Sequence, residues 1–276
     1  MCSQNKDGFS DLNIRQAEYE SEFWDVLDRF HVRHVAFNQV VDFGDLDDKK
    51  KKKGEKLDDL LPEPVRISVP NNYEGKIAVY NRLTLKFSEV SQWYRMMISQ
   101  NFKKYHIVSA SPQTQHALQH VCSSNEVDLI TFEPENKLPW RMSRKLYKMA
   151  EERMIFFELP YAPAILDSTC RKNTIQISHT YFTTGKSMNL IVSSGTDKAV
   201  YLRSPYDIAC LCAVFGLNEN IALRTLRQNP LMLVSRAENR RQGKSVIGIM
   251  RKLADNSSDS MTSDDQGDET LKTISV

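Results

Sequence analysis

Four short apolar runs decide the fold: HIVSA at His106–Ala110, VDLITF at Val127–Phe132, MIFFEL at Met154–Leu159 and NLIVSS at Asn189–Ser194. Each is too short for a helix and rich in β-branched or aromatic residues, the mark of a strand covered on both faces. Amphipathic stretches near residues 114–123, 142–152 and 167–182 lie between them. Strands alternating with helices imply parallel pairing through right-handed crossovers.

The same rhythm continues towards the N-terminus. FSDLNI at Phe9–Ile14 reads as a strand, and Glu18 to His31 as a helix with Phe23, Trp24, Leu27 and Phe30 on one side. HVAFNQVV at His34–Val41 and KIAVYNRLTLKF at Lys76–Phe87 are two more strands, the second followed by a helix through Trp93, Met96 and Met97. AVYLR at Ala199–Arg203 is a candidate eighth strand. Ser204 then suits an N-cap and Pro205 a first helical position, and Gly216 closes the run IACLCAVFGL. Asn218 caps a further helix through Leu226, which Asn229-Pro230 is expected to end. Two compact solutions suit this alternation, an open doubly wound sheet and a barrel. Seven or eight strands in a chain of this length favour a (β/α) TIM-like barrel.

Two segments break the rhythm. Residues 44–76 hold the run Lys49–Lys53, prolines and scattered acids, and read as a lysine-rich insertion between the second and third strands. The lysine run suits either a nuclear import signal or a solvated loop. Residues 253–276 lack a burial pattern and are expected to be a disordered acidic tail beyond a barrel domain spanning 1–252.

The 276 residues are 41% apolar and 26% charged, which excludes a mostly disordered chain, a coiled coil and a collagen-like repeat. No run approaches the roughly 18 apolar residues of a membrane-spanning helix, so no membrane partner is expected. Met1–Asp7 lacks the apolar core of a secretory signal, and five cysteines at irregular spacing point to reduced thiols in the cytosol or nucleus. The net charge of +2 hides an asymmetry: residues 136–252 carry 19 basic against 8 acidic side chains. That excess suits a polyanion, nucleic acid above all, against the plainer reading of a solvated basic face.

A metal phosphoesterase is the first enzyme class to test. In the polymerase and histidinol phosphatase superfamily, which this layout resembles, metal-binding histidines stand at the first strand's end, with a Thr-Asp-His triplet on the second. Here those ends are Asp11-Leu12-Asn13 and Phe37-Asn38-Gln39. Carboxylate and amide oxygens remain, but the imidazoles a borderline ion prefers do not, so neither a metal nor another cofactor is expected. HALQH at His116–His120 has Ala117 where a zinc protease needs its base, and Cys210 and Cys212 diverge around a helix. TTGKS at Thr183–Ser187 echoes a phosphate loop, yet Thr180 replaces the required glycine and the segment precedes a strand. Nucleotide binding is rejected, and no Gly-x-Ser-x-Gly elbow or local nucleophile pattern appears.

What remains is basic. Lys137, Arg141, Arg144 and Lys145 surround Pro139-Trp140, and the indole is a candidate platform for a base. Arg171-Lys172 opens a helix, Arg203 closes the last candidate strand, and Arg236, Arg240, Arg241 and Lys244 are placed beyond the final helix pair. Arginine forks and lysine charges suit RNA phosphates. The rival reading pairs Arg171 with Asp167 and Arg203 with Asp207, each four residues away.

LPYAPAILDSTCR at Leu159–Arg171 and LRSPYDIACLCAVFGL at Leu202–Leu217, with SRAENR at Ser235–Arg240, resemble the roughly 30-kDa protein subunit family of eukaryotic and archaeal ribonuclease P. FSDLNI, VAFNQVVDF at Val35, NRLTLKF at Asn81 and NKLPW at Asn136 agree with it, more loosely, and the resemblance covers most of residues 9–250. It implies a barrel that does no chemistry itself, within ribonuclease P and ribonuclease MRP particles whose large RNA cleaves precursor tRNA or precursor rRNA. It implies partners too: that RNA, precursor tRNA, a ferredoxin-like small subunit and other particle proteins, in the nucleus and nucleolus. Arg82, inside NRLTLKF, joins Lys137, Arg141, Arg171, Lys172, Arg203, Arg236, Arg240, Arg241 and Lys244 as candidates for an RNA- or assembly-facing surface. A free-standing metal-dependent phosphoesterase on the same barrel is the alternative.

Overall fold

The computed structural model describes residues 8–15, 21–44 and 59–243. The Lys49–Lys53 run, Lys244 and the acidic tail lie outside the described residues. Strands β1 (Phe9–Arg15), β2 (Val32–Asp42), β3 (Ala78–Phe87), β4 (Ile107–Pro112), β5 (Leu129–Ile130), β6 (Phe156–Pro160) and β7 (Leu190–Ser193) form one sheet in sequential order. Every neighbouring pair is parallel. Helices α1 (Ser21–Arg29), α2 (Val90–Met97), α3 (Gln115–Ser123), α4 (Arg144–Glu152), α5 (Ala162–Leu166), α6 (Ser168–Gly185), α7 (Pro205–Val214), α8 (Glu219–Leu226) and α9 (Gln228–Gln242) complete a TIM-like α/β barrel.

The ring is all but closed by the segment after β7. Thr196 bridges to Ile14 in parallel sense, its carbonyl accepting from Arg15 N–H at 2.7 Å, while Gly195 N–H donates to Asn13 O at 2.9 Å. Gly195 has φ +65° and an added Cβ would stand 2.8 Å from Pro160, so glycine is needed at this seam. The candidate eighth strand does not form. Residues Ala199–Tyr201 make a 3-10 turn, because Thr196 has already taken the place beside β1 and Ser204-Pro205 must start α7.

Alternation along the strands sorts side chains into two layers. Outward residues such as Leu83, Leu85, Val108, Ile130, Phe157, Leu159 and Val192 pack with Trp93, Leu118, Tyr147 and Tyr181 of the helices in the main core. Each fully buried residue of this size stabilises the fold by about 1.5–3 kcal/mol. Inward residues at the strands' N-terminal ends, Ala36, Ile107, Leu129, Phe156 and Ile191, form a second cluster sealed by Leu233 and Ala237 of α9. One step further along, the inward positions turn polar.

Two elements differ from the sequence reading. Asn229-Pro230 does not end α8; it lies in the first turn of α9, where proline's missing N–H costs no hydrogen bond. Asn229 Nδ2 anchors that start to Leu190 O at 2.6 Å. The described part of the insertion is a strap over the outside of β2 and β3, where a crossover helix would stand. Gln39 points outward to hold it, donating to Glu63 O and accepting from Val65 N–H, and Leu61 is buried in the core.

Candidate nucleic-acid interface

The strand positions that carry metal ligands in the superfamily resembled here hold a different apparatus. Arg82 of β3 is fully buried inside the barrel, its two terminal nitrogens each 2.6 Å from an oxygen of Glu158 on β6. Its remaining N–H groups reach Leu12 O, Ser109 Oγ and Thr84 Oγ1. Burial pushes the Glu158 carboxyl up, but the charge and hydrogen bonds of Arg82, with the Ser193 hydroxyl, outweigh it and hold the group below the usual carboxylate range. A chain of hydrogen bonds continues from Thr84 Oγ1–H to Asn38 Oδ1 and from Asn38 Nδ2 to Asn13 Oδ1. Asp11 turns an oxygen to Ser194 N–H at 3.0 Å and to Asn13 N–H, and burial raises its carboxyl in spite of those donors.

This donor set does not fit a catalytic divalent cation. A guanidinium occupies the interior and already neutralises Glu158, and Gln39 faces the other side of the sheet. Arg82 is correspondingly no RNA contact: it is internal, and its place is legible only once Glu158, a lone charge inside the apolar run MIFFEL, is read as its partner.

Arg236 and Arg240 are also internal, on α9 and not beyond it. Both clasp Asp128, whose side chain is fully buried just before β5; Arg240 Nη2 stands 2.9 Å from Oδ2. Arg236 Nε donates to Arg153 O and its Nη2 to Asn125 O, while Arg240 Nη2 donates to His106 O. One helix face thereby ties together the chain just before β4, β5 and β6. Neither residue is a surface charge, which corrects the expectation from composition.

Lys137, Arg141, Arg171 and Lys172 stand at the opposite, C-terminal end of the strands. Asn173, in α6, donates through Nδ2 to Pro134 O at 2.8 Å and Asn136 O at 3.2 Å, fastening the loop after β5 to this helix. Gln115 bonds both backbone groups of Arg141, and Trp140 Nε1 donates to Pro112 O. The indole is 5% exposed, so it pins the loop and offers no stacking face. These contacts bring exposed Lys137, Arg141, Arg144, Lys145, Arg171 and Lys172 onto one rim.

Their charge is not cancelled by the acids expected to pair with them. Asp167 spends its carboxylate capping α6, accepting from Thr169 and Cys170 N–H, whereas Arg171 donates to the carbonyls of Ala164 and Ile165. Arg203 likewise donates to Val200 O and Leu202 O, not to Asp207. Arg241 is exposed near the end of α9, away from this rim.

Comparison with known proteins follows the same lines. The model of the RNase P subunit p30 family matches residues 8–242. A mouse (Mus musculus) relative, ribonuclease P protein subunit p30, is 29% identical over 226 residues, 79% of this chain and 80% of its own. The Saccharomyces cerevisiae ribonuclease P/MRP protein subunit RPP1 is 22% identical, covering 72% of this chain and 67% of that one. Among solved structures, a chain of archaeal ribonuclease P with mature tRNA superposes with a TM-score of 0.60 at 11% identity, covering 90% of this chain and 100% of that one, a likeness of fold.

Proposed function

We infer the function from one premise: the chain belongs to the RNase P subunit p30 family, whose model spans residues 8–242. It is a protein subunit of the ribonuclease P ribonucleoprotein, and of ribonuclease MRP, supporting 5′ maturation of precursor tRNA and processing of precursor rRNA. The particle's large RNA performs the cleavage and this barrel performs none. The internal Arg82–Glu158 pair, standing where a hydrolase would need free metal ligands, supports that division of labour. The rim of Lys137, Arg141, Arg171 and Lys172 faces RNA phosphate, and other faces meet a ferredoxin-like small subunit and further particle proteins in the nucleus and nucleolus.

The test is purification of the particle through a tag on the full chain. The expected result is a co-purifying large RNA and release of the 5′ leader from precursor tRNA. Recovery of a metal-loaded, RNA-free phosphoesterase would establish the alternative instead.

A further inference from the structure

The mouth of the barrel is a cavity of about 510 Å³. Asn13, Asn38, Thr84, Ser111 and Thr131 line its polar floor and wall, with Arg15, Glu133, Glu135 and Asn136 around it. Asn136 neighbours Lys137, so the cavity opens directly beside the basic rim.

Three of these groups have unused hydrogen-bonding capacity. Asn13 is 2% exposed, yet only its Oδ1 is engaged; among the described residues its Nδ2 has no acceptor. Arg15 is half-buried and its guanidinium has no partner among the described residues, with Nε buried and unsatisfied. Glu135 is exposed and its carboxylate makes no hydrogen bond or ion pair among the described residues, whereas Glu133 is tied to Lys86 at 3.0 Å. A guanidinium fork, an amide N–H and a carboxylate thus line one pocket, each able to accept a partner from outside the chain.

We propose that the barrel mouth seats one unstacked guanine base of the RNA whose backbone runs along the rim. Guanine presents two acceptors, O6 and N7, which an arginine fork matches, and a donor edge, N1–H and N2–H2, which a carboxylate matches. Adenine offers no paired acceptors for Arg15, and pyrimidines are smaller and lack N7. Exposed Val40 and buried Phe132 supply apolar surface beside the base. The inference rests on the RNA-binding reading of the rim, and the experiment separates the two.

The full chain is titrated with single-stranded oligouridine carrying one central guanosine, against the same oligomer with adenosine, at two salt concentrations. Guanosine should bind about tenfold more tightly, the discrimination typical of one bidentate contact. Arg15→Lys keeps the charge but loses the fork, and Glu135→Gln changes an exposed side chain without threatening the fold. Both should erase the guanosine preference while keeping the salt slope. A thioguanosine at the central position should crosslink to peptides of β1 or of the loop after β5. Equal affinity for the two oligomers with a normal salt slope would overturn the base seat alone. Absence of any salt-dependent binding would overturn the RNA-facing rim and the seat with it.

Discussion

Arg82 and Glu158 are the residues on which sequence and structure diverge most usefully. A basic side chain in a strand reads as surface when only its charge is considered. Alternation decides otherwise, because Arg82 shares its inward parity with Ser109 and Glu158. A buried pair of this kind is not evidence of stability, yet breaking it is costly, since the surviving charge has nowhere to go. Glu158→Ala should lower unfolding free energy by about 3–5 kcal/mol in chemical denaturation, and the double replacement Arg82→Met with Glu158→Leu should recover most of it. A single variant as stable as the double one would sink the argument. The neighbouring carboxyls respond to pH in opposite senses. Glu158, held low, contributes stability above the unfolded carboxylate value that is lost as pH falls through its lower folded value. Asp11, held high by burial, contributes stability below the unfolded value that is lost as pH rises through its folded value. Asp11→Asn keeps an oxygen for Ser194 N–H, so its melting temperature should gain on the parent chain as pH rises through that window. A constant difference across pH would show that Asp11 does not titrate there.

At the scale of elements, the strands were legible because each apolar run is bounded by polar residues, and all seven begin and end within about two residues of their expected limits. β5 is only Leu129–Ile130, although Asp128 N–H and Thr131 N–H on either side of it still donate to Val108 O and Ala110 O of β4. Asn229-Pro230 is ambiguous because proline marks a helix's first turn as well as its end; Arg227, between α8 and α9, is where the chain breaks. The ambiguity conceals α9, and with it the role of Arg236 and Arg240. Spacing four apart on one helix face carries both guanidinium groups to Asp128, a contact 108 and 112 residues away that no local pattern reveals. Asp128→Ala leaves two partly buried arginines without their common acceptor, and a loss of about 3–5 kcal/mol is expected on unfolding. Hydrogen exchange should show α9 opening first. Unchanged protection in α9 would mean that Leu233 and Ala237 alone hold it to the barrel.

Over the whole molecule, the basic excess of residues 136–252 divides into two populations that composition merges. Arg236 and Arg240 are consumed in holding the barrel's N-terminal end, whereas Lys137, Arg141, Arg171 and Lys172 stand exposed at its C-terminal end. The two groups therefore predict different measurements. A side chain facing phosphate acts mainly by counterion release, so each rim residue changed to alanine should lower the salt slope of RNA binding by about one. Removing the side chain of Lys137, Arg141 or Lys172 should move the melting temperature little, since exposed charges contribute only tenths of a kcal/mol to about 1 kcal/mol. Arg171 also donates to the carbonyls of Ala164 and Ile165, so its loss should lower the melting temperature as well. Arg236→Ala and Arg240→Ala should do the reverse, lowering the melting temperature and leaving the slope as it was. The pairing of the two readouts matters, because a destabilised variant also loses binding whenever part of it is unfolded. Only the slope, taken where each variant is fully folded, separates a lost phosphate contact from a loosened barrel. An unchanged slope in the quadruple rim variant would move the RNA-facing surface elsewhere on the molecule.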